Sequence, residues 1–442
     1  RVLEEARKRY PDSVPLCMQI ALTYRKTGHL LEGLDLQRRM FGCQSGIPAV
    51  DPSKRPVRVG FLMQHPQGWT GFESVWRSMR GDPAFEAIVY AAPYDHPYAP
   101  EGGRDAVYPF LEKEGVPYVR WDAKPMTPEF VDVLFVQNPY DITRPEPLRI
   151  PNLLKNVARL AYIPYALETG GGGENASMQY NLALQQIVWA WFARSPRQRK
   201  MIARYCDAGT SHVVVTGHPR LDILGRLSEL EPDPELIAFA KGRKTIFWNP
   251  QFDIRPNNTG YSTFLIWQEF FLEEFARRQD MAFVIRPHPL FFGSLESRKI
   301  WTRAQVDDFL RRVEKAGNVL IDRRPSYLPV FAASDAMLSD ASSFLIEYGA
   351  TGRPLLYLHN PNGPSLNDDG EFVRSQNYTA LSREDVSNFI SMVAEGRDPL
   401  GPGRRARYGE VMTSPPGGVA NAIKKHILTQ LTHETAAASH RA

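Results

Sequence analysis

Two stretches of this chain carry side chains that could do chemistry. The first is "MAFVIRPHPLFFG" at 281–293, where an apolar run stops at Arg286-Pro287-His288-Pro289. Two prolines can continue neither a ladder nor a helix. The run therefore ends by presenting a guanidinium and an imidazole on a stiff turn. Arginine offers a fork of donors to phosphate oxygens, and histidine offers another donor or an acid for a departing phosphate. A purely structural histidine in a rigid turn is the bland alternative. The second stretch is "AASDAMLSDASSFLIEYGATGRPLLYL" at 332–358. There Asp340, Ser342 and Ser343 occupy N-cap and first-turn positions for a helix that carries Glu347. Free N–H groups and two hydroxyls at a helix start favour an anion. The bland alternative is a cap and nothing more, but a cap that follows a parallel strand favours phosphate.

These residues need elements to place them. After a linker, "IPAVDPSKRP" at 47–56, strand and helix patterns alternate. Short apolar runs at 57–63, 85–94, 131–139, 157–165 and 213–219 form one series. A polar stretch at 228–243 leads to a second, at 244–250, 281–285, 317–322, 335–340 and 354–358. Helical segments such as 267–278 and 303–315 fall between them. Apolar strands alternating with amphipathic helices imply parallel sheets covered on both faces. Two series imply two doubly wound Rossmann-like domains, and ligands sit beyond the carboxyl ends of such strands. The strand ends are Gln64 and His65, Gln137 and Asn138, Tyr165, Gly217 and His218 with Arg220 following, Asn249, Arg286 with His288, and Asp340. Nearly every strand stops in a polar or histidine-bearing turn, which points to a cleft between two domains.

The expected boundaries are a helical segment at 1–46, a first domain at 56–228 and a second at 240–430. In the helical segment Ala6, Pro11, Ala21, Tyr24 and Gly28 are laid out like a degenerate tetratricopeptide unit, a possible dock for a protein partner. A helical hairpin packed on the next domain reads equally well. Four further stretches read as surface: "TGGGGENAS" at 169–177 as a plain loop, "LNDDGEF" at 366–372 as a loop, "THETAAASHRA" at 432–442 as a frayed tail, and Arg197, Lys200 and Arg204 as a solvated helix face.

Bulk properties narrow the classes. The 442 residues are 43% hydrophobic and 23% charged, ordinary for a globular protein. A net charge of +4 at this length argues against nucleic acid. Three scattered cysteines make no disulfide framework and no CxxC zinc site. A reducing cytoplasm fits them. No apolar run approaches a membrane span.

The order of motifs resembles a known family. "RPHP", some fifty residues before "SDASSFLIEYGATGRPLLYL", looks like the C-terminal half of the CDP-glycerol glycerophosphotransferases, the teichoic-acid polymerases and primases. "VTGHPRLDIL" at 215–224, "TIFWNPQFD" at 245–253 and "SPPGGVANAIKKHI" at 414–427 resemble other segments of that family, so the likeness runs over about 155–430. It implies a GT-B-like pair of Rossmann-like domains. The donor's pyrophosphate would lie between Arg286/His288 and the Ser342/Ser343 helix, and the acceptor would enter from the N-terminal domain. It also implies a nucleotide-activated donor, no required cofactor, and a polymer acceptor that is anionic or lipid-linked, with peripheral contact at the inner membrane face. One departure stands out. The family's second histidine, its proposed base, has no counterpart in "YIPYALETGGGG", where Tyr165 or Glu168 takes the place. His65 is the other candidate base, and an ordinary tyrosine is a poor one at neutral pH.

Three functions follow. The first moves a phosphopolyol-like unit from a CDP-activated donor to a cell-surface polymer of the teichoic-acid or capsule kind. The second is a GT-B glycosyltransferase that uses a nucleotide sugar. The third is a scaffold with a degenerate transferase body.

Overall fold

The structure is a computed structural model that describes residues 5, 8–9, 13–43, 46–95, 103–255, 257, 259–288 and 291–439. The chain divides into two compact units. One comprises 1–165, 176–222 and 412–442, and the other 166–175 and 223–411.

The first unit is built on a parallel sheet of seven strands: β1 (Val57–Met63), β2 (Phe85–Ala91), β3 (Tyr118–Arg120), β4 (Val133–Val136), β5 (Leu160–Tyr162), β6 (Ala190–Ala193) and β7 (Val213–Val215). Their order is β3-β2-β1-β4-β5-β6-β7, the doubly wound pattern that reverses at the first strand. Val57, Val59, Phe61, Val133, Leu134 and Phe135 are all buried, as expected of strands covered on both faces. β3 and β6 were not expected. β6 lies within "VWAWFA", whose two tryptophans and small residues make no clear alternation, yet its four residues are all buried.

The second unit carries a six-stranded parallel sheet: β8 (Lys244–Asn249), β9 (Met281–Ile285), β10 (Val319–Ile321), β11 (Ala336–Ser339), β12 (Leu355–Leu358) and β13 (Tyr378–Ala380). The order is β10-β9-β8-β11-β12-β13. Register aligns the strand ends, with Ile285 opposite Trp248 and Asn249 opposite Ser339. Its core is aromatic. Trp248 stacks on Phe264 at 5.6 Å, and Phe275 stacks on Phe283 at 4.0 Å. Each unit is a Rossmann-like layer of helices on a parallel sheet, and together they make a GT-B-like fold.

The N-terminal helices Val14–Lys26 and Leu30–Met40 form a hairpin that packs on the first unit. Ala6 and Pro11 of the repeat-like layout lie outside the described residues. Arg25, Gln37 and Arg38 are buried and donate to the main-chain carbonyls of Val188, Gln186 and Leu154. A hairpin whose buried polar side chains donate to the sheet's connections is part of that unit.

Two surface readings were wrong. Residues 432–439 belong to a long helix, Val419–Ser439. Glu434 there is buried against Arg159, at 2.7 Å, and accepts from the Trp189 indole at 2.7 Å. That pair ties the chain's end to the first unit, whereas the second domain had been expected to run to 430. "LNDDGEF" also forms helix. Asn367 caps Asp368–Ser375 by accepting from the N–H groups of Asp369 (3.1 Å) and Gly370 (2.9 Å). Three carboxylates in the first turn suit the positive end of that helix.

Candidate functional site

Each sheet gathers side chains at the carboxyl ends of its strands. In the second unit Asn249, at the end of β8, joins two neighbours. Its amide donates to the carbonyl of Arg286 (3.1 Å) and its oxygen accepts from the Ser342 hydroxyl (3.1 Å). The same hydroxyl accepts from the N–H of Phe344 and lies 3.2 Å from Ser339 Oγ. Arg286, Asn249 and Ser342 are therefore brought together, as the strand order demands.

The glycine segment joins them. Thr169 donates to the carbonyl of Ser342 (3.2 Å), Gly170 pairs with Leu366, and the N–H of Gly171 donates to Ser365 (2.8 Å). A Cβ on Gly171 would sit 2.4 Å from the Leu366 carbonyl oxygen, and one on Gly170 2.5 Å from the Tyr261 hydroxyl. The glycines thus allow backbone to lie on backbone. The plain loop expected there is a fitted part of the second unit, and Glu168 belongs to it through its carbonyl, which accepts from Asn367 (3.0 Å).

Other expected roles change. The helix after Ser343 is a single turn, Phe344–Glu347, that passes into a 3-10 turn at Tyr348–Thr351. Ser343 makes no side-chain cap. So short a helix has little aligned dipole to offer an anion. Asp340 does not cap it either. It is fully buried and accepts from the N–H groups of Gln251 (2.9 Å) and Thr263 (3.1 Å) and from the Thr263 hydroxyl. Burial pushes its carboxyl up to about 7 despite those bonds. Glu347 is also fully buried and accepts from Tyr327 Oη. Arg286 turns its fork inward. One arm pairs with the buried Asp322, and the other donates to the carbonyls of Arg324 (2.8 Å) and Pro325 (3.4 Å). His288 stays partly exposed, with its ring 4.5 Å from Phe252.

The first unit differs in chemistry. His65, after β1, lies 5.0 Å from the ring of Tyr94 and 5.8 Å from that of Tyr165. Tyr140 stands 6.4 Å from Tyr165. Burial first, then Tyr140 and Tyr94, drives the Tyr165 hydroxyl well above its ordinary value. Gln64 is buried, donating to the carbonyls of Pro93 (3.1 Å) and Thr143 (2.8 Å). Asn138 donates to Thr143 Oγ1 (2.6 Å) and accepts from the N–H of Tyr140 (2.9 Å).

His218 is buried, with Nε2 2.7 Å from the carbonyl of Pro164 and Nδ1 accepting from the N–H of Arg220. Those partners fix a neutral ring with its proton on Nε2. Burial, then the Arg220 charge, lowers it to about 3. Arg220 in turn donates to the carbonyl of Tyr165 (2.6 Å) and to Thr70 Oγ1 (3.2 Å). Gly217 has φ +82°, and a Cβ there would meet the Thr413 carbonyl oxygen at 2.1 Å.

Sequence reasoning passed over Tyr94, Tyr140, Thr169 and Thr263. Tyr94 ends "AAPY" and Tyr140 follows "QNP", so the strand-end rule that found His65 covers both. Thr169 and Thr263 carry no such signal, because only folding brings them to Ser342 and Asp340. Among the described residues no group of three or more His, Cys, Asp or Glu is placed to hold a metal ion, and no helix is long and apolar enough to cross a membrane.

Comparison with known proteins follows this geometry. The family model described as CDP-glycerol:poly(glycerophosphate) glycerophosphotransferase matches residues 172–361, which span β8, β9, β11 and the Ser342 turn. No curated protein matches the chain by sequence. Among solved structures it is similar to the wall teichoic acid polymerase TagF, at 13% identity and TM-score 0.54, covering 94% of this chain and 98% of that one. It is also similar to the UDP-bound MnaA of S. aureus (13%, TM-score 0.55, 85% and 97%). The UDP-GlcNAc 2-epimerase of Neisseria meningitidis with bound UDP-GlcNAc gives 14%, TM-score 0.55, 84% and 99%. At these identities the likeness is one of fold.

Proposed function

We propose that this chain is a transferase of the CDP-glycerol glycerophosphotransferase type, moving a phosphopolyol-like unit from a CDP-activated donor to a cell-envelope polymer. The observation that carries the proposal is the constellation in the second unit. There the Arg286–His288 turn, Asn249 and Ser342 lie inside the stretch that the family model matches, and Thr169, just before it, donates to the Ser342 carbonyl.

His288, Ser342 and Ser343 act on the donor phosphates, and Arg286 fixes the turn that presents His288. Asp340 fixes the 251 and 263 backbone, and Glu347 holds the Tyr327 hydroxyl. In the first unit Gln64, Asn138 and Tyr165 shape the acceptor side, while Gly217, His218 and Arg220 hold the Pro164–Tyr165 main chain. An acceptor hydroxyl attacks the β-phosphorus. Its oxygen–phosphorus bond forms as the bridging bond to CMP breaks, the electron pair leaves on CMP, and the proton passes to His65 or Glu168. Tyr165 is not the base, because its hydroxyl holds its proton well past neutrality. Positioning and charge stabilisation supply most of such catalysis. The activated donor is a substrate, and the proposal needs no further cofactor. The protein works from the cytoplasmic side, peripheral to the membrane, with a lipid-linked polymer as acceptor.

The missing histidine at the end of β5 favours a second reading, a glycosyltransferase that uses a nucleotide sugar. Product analysis separates the two. CMP released from CDP-glycerol supports phosphoryl transfer, and a nucleoside diphosphate released from a nucleotide sugar supports sugar transfer. Binding of neither CDP, CMP nor UDP in a thermal-shift titration would leave the scaffold.

A further inference from the structure

The turn that carries His288 has little main-chain support. The N–H of Arg286 donates to the carbonyl of Trp248 (2.8 Å), and that of His288 reaches the carbonyl of Pro250 only across 3.4 Å. Pro287, between them, has no N–H to give. Side chains supply the rest. Asp322 directly follows β10, and its N–H donates to the carbonyl of Ile285, the last residue of β9 (2.8 Å). Its carboxylate is fully buried and shared: one oxygen takes an arm of Arg286, and the other accepts from Arg324 (2.6 Å). Arg324 reaches on to Asp233 (3.0 Å) and Glu235, at the start of helix Pro234–Ala240. The His288 ring lies 4.5 Å from that of Phe252, tilted by 34°.

We infer that Asp322 is a positioning residue: through Arg286 it fixes the 286–288 turn, and so sets where the His288 imidazole stands against Phe252 and the donor phosphates. The inference rests on the transferase reading above for its role in the reaction. A guanidinium is a rigid planar fork. With one arm on Asp322 and the other on the carbonyls of Arg324 and Pro325, it is held in one plane. Proline fixes its own φ, so Pro287 passes that constraint from Arg286 to His288. Without the Asp322 charge, Arg286 and Arg324 would lose the carboxylate they share, and a buried cation left unpaired turns towards water. A proton donor moved by an ångström loses much of its effect, while donor binding through other groups persists.

The test uses the full chain, with histidine ring carbons labelled for NMR and turnover of CDP-glycerol measured in parallel. Phe252→Leu identifies the His288 signal by removing the ring current on it. Asp322→Asn and Arg286→Gln are each expected to move that signal and to lower kcat about 10–100-fold, with the donor KM within about threefold of wild type. The double variant should be no worse than either single one, because Asp322 acts through Arg286. Arg324→Gln removes the carboxylate's other partner and should leave both the signal and kcat unchanged. A His288 signal or a kcat that stays at wild type in both single variants overturns the inference, and so does a double variant whose losses multiply. An equal loss in Arg324→Gln also overturns it, since that marks a merely structural role. If Asp322→Asn does not fold, Arg286→Gln decides on the same readouts. A wild-type chain that turns over neither CDP-glycerol nor a nucleotide sugar removes the transferase reading, while the His288 signal still decides the positioning.

Discussion

The two sheets end in different chemistries. The first unit's strand ends are aromatic, with imidazole and phenol rings in mutual contact and neutral amides beside them. The second unit's are hydroxyls, amides and backbone, cross-linked through Asn249 and Ser342, with the Arg286–His288 turn and a buried Asp340 beside them. Both arise from one rule, that a parallel strand covered on both faces must leave its polar groups at its carboxyl end. Aromatic rings set tilted or edge to face offer apolar faces and polar edges. A lattice of fixed dipoles favours developing charge. The proposed function puts the acceptor at the aromatic ends and the donor at the dipolar ones.

The largest expected effect tests the donor half. His288→Ala should lower turnover by about 10²–10⁴-fold with melting temperature little changed, because the ring is partly exposed. Wild-type turnover with the correct donor would remove His288 from the chemistry. His65→Gln should cost turnover on a similar scale while nucleotide affinity holds; lost nucleotide affinity would blur the division of labour.

Gly171→Ala tests whether the glycine segment belongs to the donor half. Its Cβ would meet backbone at 2.4 Å, so the variant should lose about 1–3 kcal/mol of stability and bind nucleotide more weakly. An unchanged chemical melt with full nucleotide affinity would return the segment to a plain loop.

Asp340 yields a pH signature. Its carboxyl holds a proton more tightly when folded, so its contribution to stability is complete below about pH 4 and disappears as pH rises through about 7. Asp340→Asn keeps the acceptor for Gln251 and Thr263, and the Thr263 hydroxyl can reverse to accept. The variant should flatten that slope in denaturation melts across pH 4–8, and a slope equal to wild type would contradict the burial argument. The smallest effect is a null one on the first unit's side. His218, lowered to about 3, should show neutral-tautomer ring shifts by NMR from pH 8 to 5, and titration near 6.5 would show its burial to be incomplete.

Much of this was legible along the chain. Apolar run lengths located ten of the strands well enough to name their ends, since burial on both faces writes itself as continuous hydrophobicity. The same rule picked out His65, Asn138, Asn249 and His288. It failed at β6, where tryptophan and alanine give no period, and at the last helix, whose end looked frayed because the partners of Glu434, Arg159 and Trp189, lie far away in sequence.

The sequence by itself determined the two parallel sheets and which residue types stand at their ends, because those follow from local pattern and backbone chemistry. Only the tertiary structure decided what those residues touch. It turned Arg286 onto Asp322, set Asp340 under Thr263 and not on a helix start, and laid the glycines against Ser342. Such partners are scores of residues apart. They meet because a buried charge or backbone group must find a hydrogen bond, and the packed fold alone determines which one lies within reach.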